Sequence, residues 1–402
     1  MRALHSKKPA QTTGAIAVPD YDVTALVLQG GGALGAYQAG VYEGLHQAGI
    51  RLNWLAGISI GALNAAVIAG SPEAERVERL RAFWETICAL HVDWLSADDL
   101  TAGPVADLWD NLPFAFAFRP VRNATAAMLA LTMGQNGFFK PRFPPPFLSP
   151  FAGDPATSFY DTAPLKATLE RFVDFDRLNS GEVRVSVAAV NIRNGNLVYF
   201  DTAERRLKAE HFMASGALPP GFPAVEIDGE YYWDGGVVSN TPLTRVLASE
   251  PRRDTLTFQV DLWSAKGRLP YDLREVMSRQ KDIQYSSRTR AITSHMMQMQ
   301  KMRQALQQVI DKLPEAAKRD PEVMKIADLA SHRATNIIHL IYQSKSFEGH
   351  SKDYEFGPDA MREHWQSGLD DIRRTLADPG RLDRPAPGMG VTHDVHRAER
   401  VR

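Results

Sequence analysis

The sequence predicts an α/β fold with a mainly parallel central sheet and helices covering it, a three-layer α/β/α arrangement followed by a helical C-terminal region. Three observations carry that expectation. Short apolar runs alternate with helix-length segments whose apolar residues recur every three or four positions, and glycines punctuate the hand-over from one to the other. The third is size: 402 residues, 44% of them hydrophobic, can bury a large core.

Taken in order, Thr24–Leu28 is a continuous apolar run of the length of a buried strand. Ala36 to Gly49 offers Val41, Leu45 and Ala48 at helical spacing and ends on a glycine, which closes a helix cheaply. Leu52–Ile58 is the next strand, Ala62–Ala69 the next helix, and Pro72–Leu90 a charged helix with proline near its start. Val183–Val190 and Leu197–Phe200 flank Arg193-Asn194-Gly195-Asn196, whose Asn-Gly pair favours a hairpin. Thr255–Trp263 is a further strand before a long polar helix over about 271–313. Ile292, Met296, Met299, Met302, Leu306, Val309 and Leu313 form a stripe along it. That stripe is expected to pack on the protein's own core, with lipid or a second subunit as the alternative, which leaves a homo-oligomer through this helix open.

Four stretches stand apart from the pattern. Residues 91–160 carry Phe114 to Phe118, Phe138-Phe139 and Phe143 to Phe151, rich in aromatic surface and proline. They read as an insertion into a domain spanning 22–264, either a lid or interfacial patch or a packed connecting loop. Residues 1–21 are expected to be a flexible tail, 265–378 a helix-rich region, and the Pro-, Arg- and Gly-rich 379–402 a disordered tail.

Composition excludes several function classes. Net charge is −1, so nothing steers the chain globally toward nucleic acid. Cys88 is the only cysteine, which forbids an intramolecular disulfide and a cysteine metal cluster. The histidines are scattered without metal-ligand spacing, so neither metal nor cofactor is expected. Residues 1–20 lack the apolar core of a secretory signal, and no window approaches eighteen apolar residues. A cytoplasmic protein with at most peripheral membrane contact is the expectation.

Chemistry concentrates in three motifs. Gly57-Ile58-Ser59-Ile60-Gly61 puts a serine where a strand hands over to a helix, and its glycines permit the sharp turn that exposes the hydroxyl. Gly30-Gly31-Gly32-Ala33-Leu34-Gly35 precedes it by one β-α unit. As Gly-x-Gly-x-x-Gly this run also fits a dinucleotide fingerprint, but no acid stands between Glu43 and Glu73, where that fingerprint needs one. The same amides can instead receive an oxyanion. Asp234, in Trp233-Asp234-Gly235-Gly236, supplies a carboxylate beside aromatics, although an Asp-Gly pair there could equally turn a hairpin with Val225–Ile227.

Together with Ala214-Ser215-Gly-Ala-Leu-Pro-Pro-Gly-Phe-Pro223, these motifs in this order make residues 22–262 resemble the patatin-like phospholipase family. The resemblance implies a lipid acyl hydrolase, a serine esterase in which Ser59 attacks the ester, Asp234 takes its proton, and the backbone at Gly30, Gly31 and Gly32 receives the oxyanion. Its implied partner is a lipid or other acyl ester, as phospholipase A, lysophospholipase or general esterase. The family often carries Arg or Lys where Leu34 stands, so the oxyanion site here rests on backbone amides, and phospholipid preference stays open. Two alternatives remain: a Ser-Asp-His α/β-hydrolase using His295, His339 or His350, and a non-catalytic lipid-binding scaffold.

Overall fold

The computed structural model describes residues 16–89, 125–148, 156–345 and 348–395. Its centre is a nine-stranded sheet in the order β11 (Gly390–Val395), β10 (Thr335–Ile341), β9 (Thr255–Asp261), β1 (Val23–Leu28), β2 (Trp54–Gly57), β5 (Arg184–Asn191), β8 (Glu230–Asp234), β7 (Val225–Ile227), with β6 (Leu197–Asp201) on the other edge of β5, while β3 (Lys140–Pro141) and β4 (Tyr160–Asp161) pair apart from it. β1 (Val23–Leu28) is buried along its whole length and pairs in parallel with both β2 (Trp54–Gly57) and β9 (Thr255–Asp261). Alternate residues of β1 serve opposite faces, as strand geometry requires. Leu26 and Leu28 join one core cluster with Tyr37, Val41, Leu55 and Trp365, while Val23, Ala25 and Val27 join another with Leu243 and Val246. The predicted layered architecture is therefore present, its helices including α1 (Gly35–Gln47), α2 (Ile60–Ala69), α3 (Arg76–Cys88), α4 (Ala163–Phe172) and α5 (Ala209–Ser215).

The Asn-Gly hairpin forms between β5 (Arg184–Asn191) and β6 (Leu197–Asp201), with Gly195 at φ 71°. A second hairpin joins β7 (Val225–Ile227) to β8 (Glu230–Asp234). Its turn is Asp228-Gly229, both at positive φ, rather than Asp234-Gly235, which lies at the far end of β8 and is free for another role.

The C-terminal third differs from the expectation. β10 (Thr335–Ile341) extends the sheet beside β9, and β11 (Gly390–Val395) pairs in parallel with β10, so 379–395 are ordered as a short 3₁₀ turn and an edge strand, not a disordered tail. Residues 396–402 lie outside the described residues. α7 (Pro358–Leu376) packs on α1, where Trp365 Nε1 donates to Glu43 at 2.5 Å and Tyr37 donates to Asp371 at 2.9 Å. The 265–378 region is thus woven into the same core. At the other end, Ile16 donates to the Ala48 carbonyl and Tyr21 to those of Leu382 and Asp383, so the tail expected over 1–21 is already packed from Ile16; residues 1–15 lie outside the described residues.

The long helix α6 (Leu273–Asp311) sits at the expected place, but with a different face inward. Asp282, Ser286, Thr289, Thr293, Met296 and Gln300 are buried, while Met302 and Val309 of the expected apolar stripe are exposed. The inward face is polar because it meets polar groups: Thr289 and Thr293 hydrogen-bond Gln29 and Gln259, and Gln300 donates to the carbonyls of Arg333 and Gly388.

Of the aromatic insertion, residues 91–124 and 149–155, including Phe114 to Phe118 and Phe151, lie outside the described residues. The remainder divides between both expectations. Phe138 and Phe139 pack against Phe222, and Phe138 against Phe356, whereas Phe143 and Phe147 are exposed.

Candidate active site

Ser59 caps α2 immediately beyond β2, with φ 56° and ψ −127°, a conformation that costs an L-residue about 1–3 kcal/mol. Close packing enforces it. A Cβ on Gly57 would lie 2.3 Å from the Gly61 carbonyl oxygen, and one on Gly61 would lie 2.4 Å from that of Leu28, so only glycine lets strand and helix approach this closely. The Ser59 N–H donates to both the carbonyl and the hydroxyl oxygen of Ser215, each at 3.1 Å, and that hydroxyl donates to the Ala188 carbonyl at 2.7 Å. Ser215, quoted from the sequence without a role, anchors the turn.

Sheet register brings the carboxylate to it. β2 pairs with β5 only as far as Gly57 opposite Val187; β8 then takes over the same edge of β5, placing Asp234 opposite Ala189. The chain that turns away at Ser59 therefore leaves a vacancy that the end of β8 fills. Asp234 is 2% exposed; its carboxylate accepts from the Gly236 N–H at 2.7 Å, and the neighbouring Ser59 hydroxyl favours its ionised form. Among the described residues no cation pairs with it. Burial pushes its pKa up to about 7 against the opposing pull of the Ser59 hydroxyl and the Gly236 N–H. A carboxyl group so poised can exchange a proton near neutral pH.

The glycine loop divides into two roles. Gly30 is locked: its N–H donates to the Asn240 carbonyl at 3.2 Å, and its own carbonyl accepts from Asn240 Nδ2 and Trp263 Nε1, both at 2.9 Å. The amide of Gly30 is thus not available to an oxyanion, a correction to the three-glycine expectation. Gly31 and Gly32 have no acceptor for their N–H groups among the described residues, and neither does Ile60, the first residue of α2. A Cβ on Gly30 would fall 3.1 Å from that of Ser59, so the loop lies against the serine turn. Leu34 is fully buried in the core, which leaves that position no cationic part to play.

Elements far along the chain hold these loops. Arg288 Nη1 donates to the carbonyls of Gly236 and Val237 at 3.2 and 2.8 Å, and the Thr289 hydroxyl joins Gln29 to Thr241 at 2.8 Å each. Tyr285 stacks on Trp263 with ring centroids 4.8 Å apart. The Asp353 carbonyl accepts from the Ala33 N–H at 2.8 Å, and Gly32, at φ 54°, has room for no Cβ beneath that carbonyl. Sequence reasoning missed Asn240, Trp263, Arg288, Thr289 and Asp353; only Asn240, six residues after Asp234 in a polar run, sits near a recognised motif.

The three histidines of the alternative triad are engaged or turned elsewhere. His339 lies between Asp261 at 2.5 Å and Asp394 at 2.9 Å; burial alone would lower its pKa, but the two carboxylates hold it up to about 9. His350 packs on Tyr354, and His295 is exposed on α6. None of the three contacts Ser59 or Asp234.

A serine presented on a strained strand-to-helix turn of a largely parallel α/β sheet, with a buried carboxyl rather than an imidazole beside it, sets the chain in a class of α/β proteins distinct from those built on a Ser-His pair. Within that class the chain belongs to the patatin-like phospholipase family, whose model matches residues 26–247, more than half its length. A second model, described as patatin phospholipase, matches residues 283–388. No curated protein matches the chain. Similar solved structures include VipD from Legionella pneumophila (TM-score 0.40, 13% identity, 93% of this chain and 72% of that one). Human GIVD cytosolic phospholipase A2 follows (0.39, 11%, 90% and 60%), with the type III effector protein ExoU (0.31, 15%, 92% and 55%). The chain spans less than two thirds of the length of the latter two.

Proposed function

We propose that this protein is a serine esterase that hydrolyses carboxylic esters of lipids through a Ser59–Asp234 dyad. The observation that carries the reading is the buried carboxyl of Asp234, with no cation partner among the described residues, set beside the hydroxyl of a serine held in a strained turn. In the first half-reaction Ser59 Oγ attacks the ester carbonyl carbon while Asp234 accepts the hydroxyl proton. Charge develops on the carbonyl oxygen, where the N–H groups of Gly31 and Gly32 can receive it; one such donor is worth roughly 100- to 1000-fold in turnover. Collapse of the tetrahedral intermediate expels the alcohol, which takes the proton from Asp234, and leaves an acyl group on Ser59. Water then attacks that ester, again giving its proton to Asp234, and releases the fatty acid with the serine restored.

A fluorophosphonate probe should label Ser59 alone, and fatty-acid release from a short-chain ester and from a phospholipid should vanish in both Ser59→Ala and Asp234→Asn. Undiminished turnover in Ser59→Ala would remove the mechanism. The scaffold reading predicts no labelling at all. The ratio of the two substrates' rates reads out the phospholipid preference.

A further inference from the structure

We propose that the loop before α6 and the first turns of that helix, residues 266–280, form a docking site for an anionic phospholipid surface; the inference rests on the lipid-ester reading of the site. The segment leaves the sheet just beyond the C-terminal end of β9, where Trp263 holds Gly30. α6 then runs back down the sheet. Lys281 reaches the loop of Asp353, Arg288 and Thr289 hold the Asp234 and glycine loops, Thr293 meets Gln259, and Gln300 reaches Arg333 at the start of β10. The turns before Lys281 therefore overhang the sheet at the end that carries Ser59. At 1.5 Å per residue, Leu273 stands about 20 Å along the helix from Arg288.

That overhang shows its apolar side chains to solvent. Leu269, Tyr271 and Leu273 are 93%, 97% and 73% exposed, far beyond what a scattered surface residue needs, and Val276 and Met277 continue the patch. Beside them stand Lys266, Arg268, Arg274 and Arg279 against two carboxylates, Asp272 and Glu275. Both acids are committed locally, Asp272 accepting from the Glu275 N–H at 2.8 Å and Glu275 from the Tyr271 N–H at 2.7 Å. Lys266 and Arg268 are exposed and have no carboxylate partner among the described residues. Apolar and aromatic tips flanked by unpaired cations suit insertion at a headgroup boundary and attraction to negative lipid. A second copy of the chain apposed across a two-fold axis would instead set cation against cation.

The test uses the full chain carrying Ser59→Ala, so that binding is read without turnover. It should sediment with vesicles of phosphatidylcholine mixed with phosphatidylglycerol and not with phosphatidylcholine alone. Lys266→Glu with Arg268→Glu should weaken that partition at least tenfold, and Leu269→Ser, Tyr271→Ser and Leu273→Ser together should abolish it. In the background with Ser59 intact, the same changes should leave hydrolysis of a monomeric short-chain ester unaltered. Equal binding to both vesicle types, or unchanged binding by the substituted proteins, overturns the proposal. So does loss of a dimer in sedimentation with vesicle binding intact, which assigns the patch to self-association. Because vesicle binding and ester turnover are measured separately, either can fail while the other stands.

Discussion

Two buried aspartates flank β5 on its opposite edges, and they have opposite electrostatic fates. Asp201, at the end of β6, accepts from Arg184 and Arg245 at 2.8 and 2.7 Å, from the Ser186 hydroxyl at 2.6 Å and from the Ala203 N–H at 2.9 Å. Burial would raise its pKa, but these partners win and hold it down to about 2. Asp234, at the end of β8, has a hydroxyl and one amide, and burial wins. The arginines and extra donors around Asp201, and the fuller desolvation of Asp234, therefore send two carboxylates on the same scaffold in opposite directions.

Removing the reactive partners should have the largest effect. Ser59→Ala or Asp234→Asn should lower kcat by roughly 1000-fold or more with the fold retained, because the two act as one unit; the double variant should be no worse than either single one. Asp201→Ala should do the reverse. It strands two arginines and should cost about 3 kcal/mol of stability in a denaturant titration, leaving the folded fraction's turnover unchanged. A large loss of turnover per folded molecule there would erase the distinction between the two sites. Smaller again is Asn240→Ala, which frees the Gly30 peptide; misaiming the glycine loop should lower kcat by about 10- to 100-fold with KM little changed.

The pH dependences separate the same two groups. Since Asp234 must be ionised to act, kcat/KM should rise through about pH 7 and level off above it. Asp201 has a folded pKa below its unfolded value, so its stabilisation is present above about pH 4 and disappears as pH falls toward 2. Acid unfolding of Asp201→Asn should accordingly be flatter over that range than that of the parent protein.

Legibility from sequence followed the range of the physics. The Ser59 turn was readable because everything it needs is local: a strand, two glycines and a helix within eight residues. The Asn-Gly hairpin was readable for the same reason. Asp234 could be placed only by resemblance, since an Asp-Gly pair also suits a turn, and the register that carries it to Ser59 depends on β2 stopping short on β5. The polar inner face of α6 was hidden because threonines and glutamines look outward until Gln29 and Gln259, hundreds of residues away for the former, supply partners. β11 was missed because its neighbourhood is rich in Pro, Arg and Gly and its strand is only partly buried, so no apolar run announces it.

The smallest effect sharpens the comparison most, because it is one of sign. Asp234 has a folded pKa of about 7, above its unfolded value near 3.8, so its contribution to stability is full below pH 4 and is lost as pH rises through 7. An amide has no such charge to bury and keeps an oxygen for the Gly236 N–H. Asp234→Asn should thus match the parent protein near pH 4 and exceed it at pH 8, by on the order of 1 kcal/mol once the amide's own burial is allowed for, a rise of a few degrees in Tm. The gain should grow between pH 4 and 7 and then stop growing. Asp201→Asn should show no gain at any pH, since there the charge is what the arginines require. A destabilised Asp234→Asn at pH 8 would mean that the buried carboxylate is held by partners as Asp201 is, and that the strain of a basic aspartate next to Ser59 is not built into this fold.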